Sequence, residues 1–157
     1  MKSQDSKPFY EKGLQFECTR CRKCCTGFPG YVYLSETDIK NISEFLQTDK
    51  EGFIKRYTRI VHVFHEERLS LIEKVDYICI FWDKICTIYP TRPHQCRTYP
   101  FWKRYLVSAR EWNKAHEFCP GINRGRLHTK SEIEHFAGDI PNYDISKFLH
   151  TYPREPE

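Results

Sequence analysis

Cys18-Thr19-Arg20-Cys21-Arg22-Lys23-Cys24-Cys25 puts four thiols into eight residues. Two residues between cysteines let one tight turn aim both sulfurs at a common centre, an arrangement used by zinc and iron–sulfur sites alike. A third cysteine at the same interval gives C-x2-C-x2-C, a loop that wraps a cubane cluster with each thiolate reaching a different iron. Cys24 and Cys25 are adjacent and point in diverging directions. They therefore serve different metals more easily than one, or act as a ligand beside a non-ligand. Thr19, Arg20, Arg22 and Lys23 are polar, which argues against thiols buried here as small hydrophobes. The basic neighbours also lower thiol pKa and offset the negative charge of a thiolate-bound metal.

Further along come Cys79-x6-Cys86-x9-Cys96 and then Cys119, which Pro120 follows. In bacterial ferredoxin runs the remaining cysteine of the motif is likewise followed by proline. The second set matches no zinc-ribbon or zinc-finger spacing, and no C-x3-C-x2-C loop is present. Cys79 sits in the apolar run Tyr77–Trp82 and has the best claim of the eight to be a buried hydrophobe. Eight cysteines in 157 residues is about 5%, below the roughly 8–10% of a disulfide scaffold. The start, Met1-Lys2-Ser3-Gln4-Asp5-Ser6-Lys7-Pro8, has no apolar segment or small-residue cleavage site, so a cytoplasmic location is expected. There disulfides are rare, and the cysteines are expected to be metal ligands or catalytic thiols, with their clustering favouring metal. Four thiolates around Zn²⁺, or around an oxidised [4Fe–4S] core, carry about −2, which would take the chain from +4 to about +2.

Leu, Ile, Val and Phe make up about 24% of the chain, enough for a core and against full-length disorder. No apolar run reaches the roughly 18 residues of a membrane span. Three alanines against thirteen isoleucines and 24 aromatics give modest helix propensity. The expected fold class is α+β: a small single domain of short helices and strands organised around a cysteine metal-binding cluster. Residues 1–17 read as an arm that packs late in its length, 18–150 as the metal-binding domain, and 151–157 as a tail. Ser35 caps a helix carrying Ile39, Ile42, Phe45 and Leu46. Thr48 is expected to cap a second, with Phe53, Ile54 and Tyr57. Tyr31–Leu34 reads as a short strand, and Arg59–His65 with Leu69–Ile72 as a hairpin. Ser108 caps a helix with Trp112 and Ala115, Ser131 another with Ile133 and Phe136, and residues 144–150 form a last turn.

With these residues in place the chain resembles a known family. C-x2-C-x2-C-C, a cysteine in an apolar run, the stretch Cys86-Thr87-Ile88-Tyr89-Pro90-Thr91-Arg92-Pro93-His94-Gln95-Cys96-Arg97-Thr98-Tyr99-Pro100-Phe101, and then Cys119-Pro120-Gly121-Ile122 resemble the CxxCxxCC (YkgJ-like) family of zinc- or iron-chelating proteins. That family includes flagellin lysine N-methylase. The resemblance covers about residues 18–125. It implies that Cys18, Cys21, Cys24, Cys25, Cys79, Cys86, Cys96 and Cys119 form the metal-binding set, with Arg92, Pro93, Arg97, Tyr99 and Pro100 as signature positions. Members often carry glycine after the second cysteine, where this chain has Arg22. Pro90 and Pro93 stiffen the loop presenting Cys96, and Pro93 suits the opening of a short helix. Arg92 and Arg97 are the cofactor-contacting candidates, as donors to cluster sulfur or to an anion beside it, weighed evenly against a carboxylate partner or a solvated face.

The expected cofactor is an iron–sulfur cluster, [4Fe–4S] before other types, or zinc. The partners are a metal ion or cluster, with a protein partner allowed, nucleic acid disfavoured and no membrane. Among the histidines, His94 and His116 stand nearest to cysteines, whereas His62 and His65 read as non-ligands. No glycine-rich phosphate or dinucleotide loop is present, so no complete catalytic motif is visible. Two alternatives follow. By resemblance, the chain takes part in S-adenosylmethionine-dependent lysine methylation. By its basic residues interleaved with aromatics, it is a zinc-held nucleic-acid or protein adaptor.

Overall fold

A computed structural model describes residues 7–138 and Ser146. The tail at 151–157 and, apart from Ser146, the turn expected at 144–150 lie outside the described residues. In chain order the elements are β1 (Leu14–Phe16), α1 (Glu36–Phe45), α2 (Lys50–Tyr57), β2 (Thr58–Val63), β3 (Glu66–Leu71), β4 (Glu73–Lys74), β5 (Ile78–Cys79), β6 (Trp82–Asp83), β7 (Ile85–Cys86), α3 (His94–Thr98), α4 (Ala109–Ala115), β8 (Ile122–His128) and α5 (Lys130–Phe136). Among the described residues the strands form four antiparallel two-stranded pairs, β1–β8, β2–β3, β4–β5 and β6–β7. The fold is α+β. The chain divides into two compact units: one runs up to Cys24 and resumes at Thr98, and the other spans Cys25–Arg97.

In the Cys25–Arg97 unit, α1 begins as its sequence requires. The Ser35 hydroxyl accepts from the Asp38 N–H while the Asp38 carboxylate accepts from the Ser35 N–H, a reciprocal capping box. Ile39 and Ile42 turn inward, but Phe45 stays exposed. The cap of α2 is Asp49 rather than Thr48: its carboxylate accepts from the Gly52 N–H at 2.6 Å. The hairpin β2–β3 pairs Thr58 with Leu71 through Val63 with Glu66. Tyr31–Leu34 is no full strand. Only Tyr33 bridges to Ser70, and the segment runs beside β3 through Leu34 N–H to Leu69 and Leu71 N–H to Val32. The run Tyr77–Trp82 is broken by turns, and of it only Phe81 is buried. Leu34, Ile39, Ile42, Phe53, Ile54, Leu69, Leu71, Phe81 and Ile88 form the core, each full burial contributing about 1.5–3 kcal/mol.

The other unit is built on β1–β8, a pairing the sequence patterning did not reveal. Its core joins Phe101, Trp112, Ala115, Cys119, Ile122 and Ile133. Phe101 stacks on Trp112 at 5.4 Å and on Phe136 at 5.6 Å. Ser108 caps α4, accepting from the Glu111 N–H. The cap of α5 is Thr129, two residues before the expected Ser131, because Glu132 lies at the third helical position and completes a capping box with it.

Candidate metal-binding site

The four clustered cysteines divide where Cys24 meets Cys25, and the remaining four divide with them. Cys18, Cys21, Cys24 and Cys119 fall in one unit; Cys25, Cys79, Cys86 and Cys96 fall in the other. None of the eight is in a disulfide.

In the first unit the β1–β8 pairing sets Leu14 against His128 and Phe16 against Ile122, with a register shift between Gln15 and Phe16. The contact continues beyond the strands: the Glu17 N–H donates to the Gly121 carbonyl at 3.2 Å. This brings the start of the first cysteine loop alongside Cys119-Pro120-Gly121. The approach is so close that a β-carbon on Gly121 would run into the Glu17 carbonyl oxygen. The far end of the loop is tied by Lys23, whose ammonium donates to the Glu117 carbonyl at 3.3 Å. Between these anchors Arg20 (φ 55°) and Arg22 (φ 67°) turn the backbone through the left-handed region. Arg22 occupies the position where glycine is expected from the family resemblance, and the left-handed turn is the physical reason glycine suits it.

Cys18 and Cys24 are exposed, Cys21 is half-buried and Cys119 is buried. Burial pushes the Cys119 thiol above its ordinary pKa. The backbone N–H of Gly121 pulls it down, and Cys21, Cys24 and Cys18 push it up again through their charge. Cys21, Cys24 and Cys18 thus lie within electrostatic range of Cys119. Tyr99 is raised far above the phenol range, chiefly by burial and then by Cys119, Tyr105 and Cys24.

In the second unit Cys25 is strapped directly to Cys79, whose N–H donates to the Cys25 carbonyl at 2.9 Å. The loop after Cys25 is held by Glu73, which accepts from the Gly30 N–H at 2.9 Å and from Arg59 at 3.0 Å; Arg59 also donates to the Gly30 carbonyl. Cys79 pairs with Glu73 across β4–β5, and Cys86 with Trp82 across β6–β7. Both side chains pack, half-buried, against the same core.

Cys96 rides on α3, which Pro93 precedes; the Cys96 N–H donates to the Pro93 carbonyl. Two side chains hold this helix. Asp38, 2% exposed, accepts from the His94 N–H at 2.8 Å. Gln95 accepts from the Tyr33 N–H and donates to the Tyr31 carbonyl, both at 2.8 Å. Asp38 therefore serves two helices, capping α1 and fixing the start of α3. Asp38, Gln95, Glu73 and Gly121 escaped the sequence reading because each acts on backbone groups far away in sequence. The one local signal was the Ser35/Asp38 capping box.

Arg97 lies 3.8 Å from the Asp38 carboxylate. Arg92 lays its guanidinium over the Tyr89 ring at 3.9 Å, and its buried Nε–H has no hydrogen-bond partner among the described residues. His116 Nδ1 is 3.1 Å from the Ile122 carbonyl, and His62 lies 3.7 Å from Glu67.

A donor set of eight thiols beside basic residues fits a soft or borderline metal. Among the described residues, no three His, Cys, Asp or Glu side chains are gathered closely enough to hold an ion as they stand. Four cysteines belong to each compact unit, and Cys79 and Cys86 of the second unit pack on one core. The sequence matches the CxxCxxCC family, described as a putative zinc- or iron-chelating domain, over residues 17–120. The chain belongs to the CxxCxxCC family. The matched span takes in every cysteine of this CxxCxxCC protein and both anchors of its first loop, Glu17 and Glu117. Membership makes it a metal-binding protein of the zinc- or iron-chelating class. No solved structure matches the chain. No helix among the described residues is long and apolar enough to cross a membrane.

Proposed function

We propose that the protein is a cytoplasmic iron–sulfur protein whose ligand pool is Cys18, Cys21, Cys24, Cys25, Cys79, Cys86, Cys96 and Cys119, with residues 18–150 as the metal-binding region. The observation that carries the choice of iron–sulfur over zinc is the hydrogen bond from Glu17 to Gly121. It sets the C-x2-C-x2-C loop beside the Cys119-Pro120 pair, the two parts of a ferredoxin-type ligand run. Cysteines clustered at ligand spacing suit a reducing compartment, where thiols coordinate metal rather than pair as disulfides. Coordination would finish folding the first cysteine loop while it releases the thiol protons. When bound, a cluster would supply one-electron redox chemistry or a structural clamp. The chain's own part is to hold the thiolates and to neutralise them with Arg20, Arg22 and Lys23. The orphan Nε–H of Arg92 is a donor suited to cluster sulfur.

Anaerobic purification followed by absorption spectroscopy and assay of iron, zinc and acid-labile sulfide tests this reading. Visible charge-transfer bands with iron and sulfide in equal amounts are expected. A colourless protein with stoichiometric zinc and no sulfide would refute the iron–sulfur assignment and leave the chelating role intact.

A further inference from the structure

We infer that the eight cysteines hold two metal centres, each completed by four thiolates from a single unit: Cys18, Cys21, Cys24 and Cys119 in one, and Cys25, Cys79, Cys86 and Cys96 in the other. The inference rests on the metal-chelating reading above and adds the count and the ligand partition.

Three observations carry it. The boundary between the units passes through the one peptide bond that joins two cysteines, and it leaves four thiols on each side. Four thiolates saturate a tetrahedral zinc or the four irons of a cubane, so neither set needs a ligand from the other. Within each set the cysteine-bearing segments are tied by bonds internal to that unit. In the first, Glu17 bonds to Gly121 and Lys23 to Glu117, so both ends of the cysteine loop meet the segment carrying Cys119. In the second, Cys79 bonds to the Cys25 carbonyl, Cys79 and Cys86 pack on one core, and the Asp38 and Gln95 bonds fix α3 under Cys96. Adjacent side chains diverge along a chain, so Cys24 and Cys25 can face two centres without straining the backbone between them.

The test counts metal in the full chain and in two double variants, Cys21→Ser/Cys119→Ser and Cys79→Ser/Cys86→Ser, each reconstituted anaerobically and checked for folding by circular dichroism. The wild type should hold about two zinc ions, or about eight irons with as many sulfides. Each double variant should retain about half of that, with the spectrum of the surviving centre. Loss of all metal in either variant would show a single shared centre. A full complement in either would show that its cysteines are spare. Both results overturn the partition.

A second measurement needs no variant. During stepwise removal of metal by a chelator, alkylation mapped by mass spectrometry should unmask thiols in the two sets of four. Unmasking that mixes the sets from the first step would overturn the inference. A wild type that binds neither iron nor zinc would overturn the chelating reading as well, and so separates the two failures.

Discussion

Gly121 has no room for a β-carbon, because the Glu17 carbonyl already occupies the space. Gly121→Ala must push apart the two segments that bring Cys18 toward Cys119. The expected cost is about 1–3 kcal/mol of stability, the range for overpacking a closed site. Chemical denaturation of the metal-free protein reads it, and the variant should also bind metal more weakly through the first set of thiols. Arg22 presents the converse case. At φ 67° any side chain is strained, so glycine there should be favoured over alanine. Comparing Arg22→Gly with Arg22→Ala removes the same guanidinium from both and isolates the backbone term. The glycine variant should be the more stable by about 1 kcal/mol; an alanine variant of equal or greater stability would show that the loop does not adopt this turn. The sequence marked position 22 as a departure from the family's habit. The physical reason needed the dihedral angle.

At the scale of elements, α1 and α3 are joined by one buried carboxylate. Asp38 accepts from Ser35 and from His94, and Arg97 stands 3.8 Å away. Asp38→Ala would leave the buried Ser35 group and the His94 N–H without their acceptor, which costs about 1–3 kcal/mol for each group stranded. Thermal unfolding should register the loss. Metal bound through Cys96 should fall, while metal bound through Cys119 should not. Uniform loss from both sets would show that Asp38 acts on global stability alone. Much of this level was readable beforehand. Ser35 and Ser108 announced their helices, the β2–β3 hairpin followed from its residues, and Pro93 marked the start of α3. The caps of α2 and α5 were misplaced by one or two residues, because Thr48 and Ser131 have the right chemistry but Asp49 and Thr129 have the right distance to the third helical residue. The β1–β8 pair was invisible: Leu14–Phe16 is too short to show a period, and Asn123-Arg124-Gly125-Arg126 is polar with a glycine at φ 72°.

For the molecule as a whole, metal changes the charge. The chain carries +4 at neutral pH, with an isoelectric point near 8.6. Two four-thiolate centres, each about −2 as zinc or as an oxidised cubane, would bring it to about zero. Isoelectric focusing of the loaded protein should therefore give a band near neutrality; a single centre would leave the band clearly basic. All eight cysteines could be counted in the sequence and their use as ligands argued from compartment and spacing. The division into fours proposed for them could not, since that proposal draws on contacts between residues 17 and 121 and between residues 25 and 79. The most direct test is native mass spectrometry of the anaerobically purified chain. The account predicts a mass above the 18.9 kDa polypeptide by the weight of two metal centres, falling to the bare polypeptide on acid denaturation. A native ion at the bare polypeptide mass, from protein supplied with iron, sulfide and zinc, would contradict it.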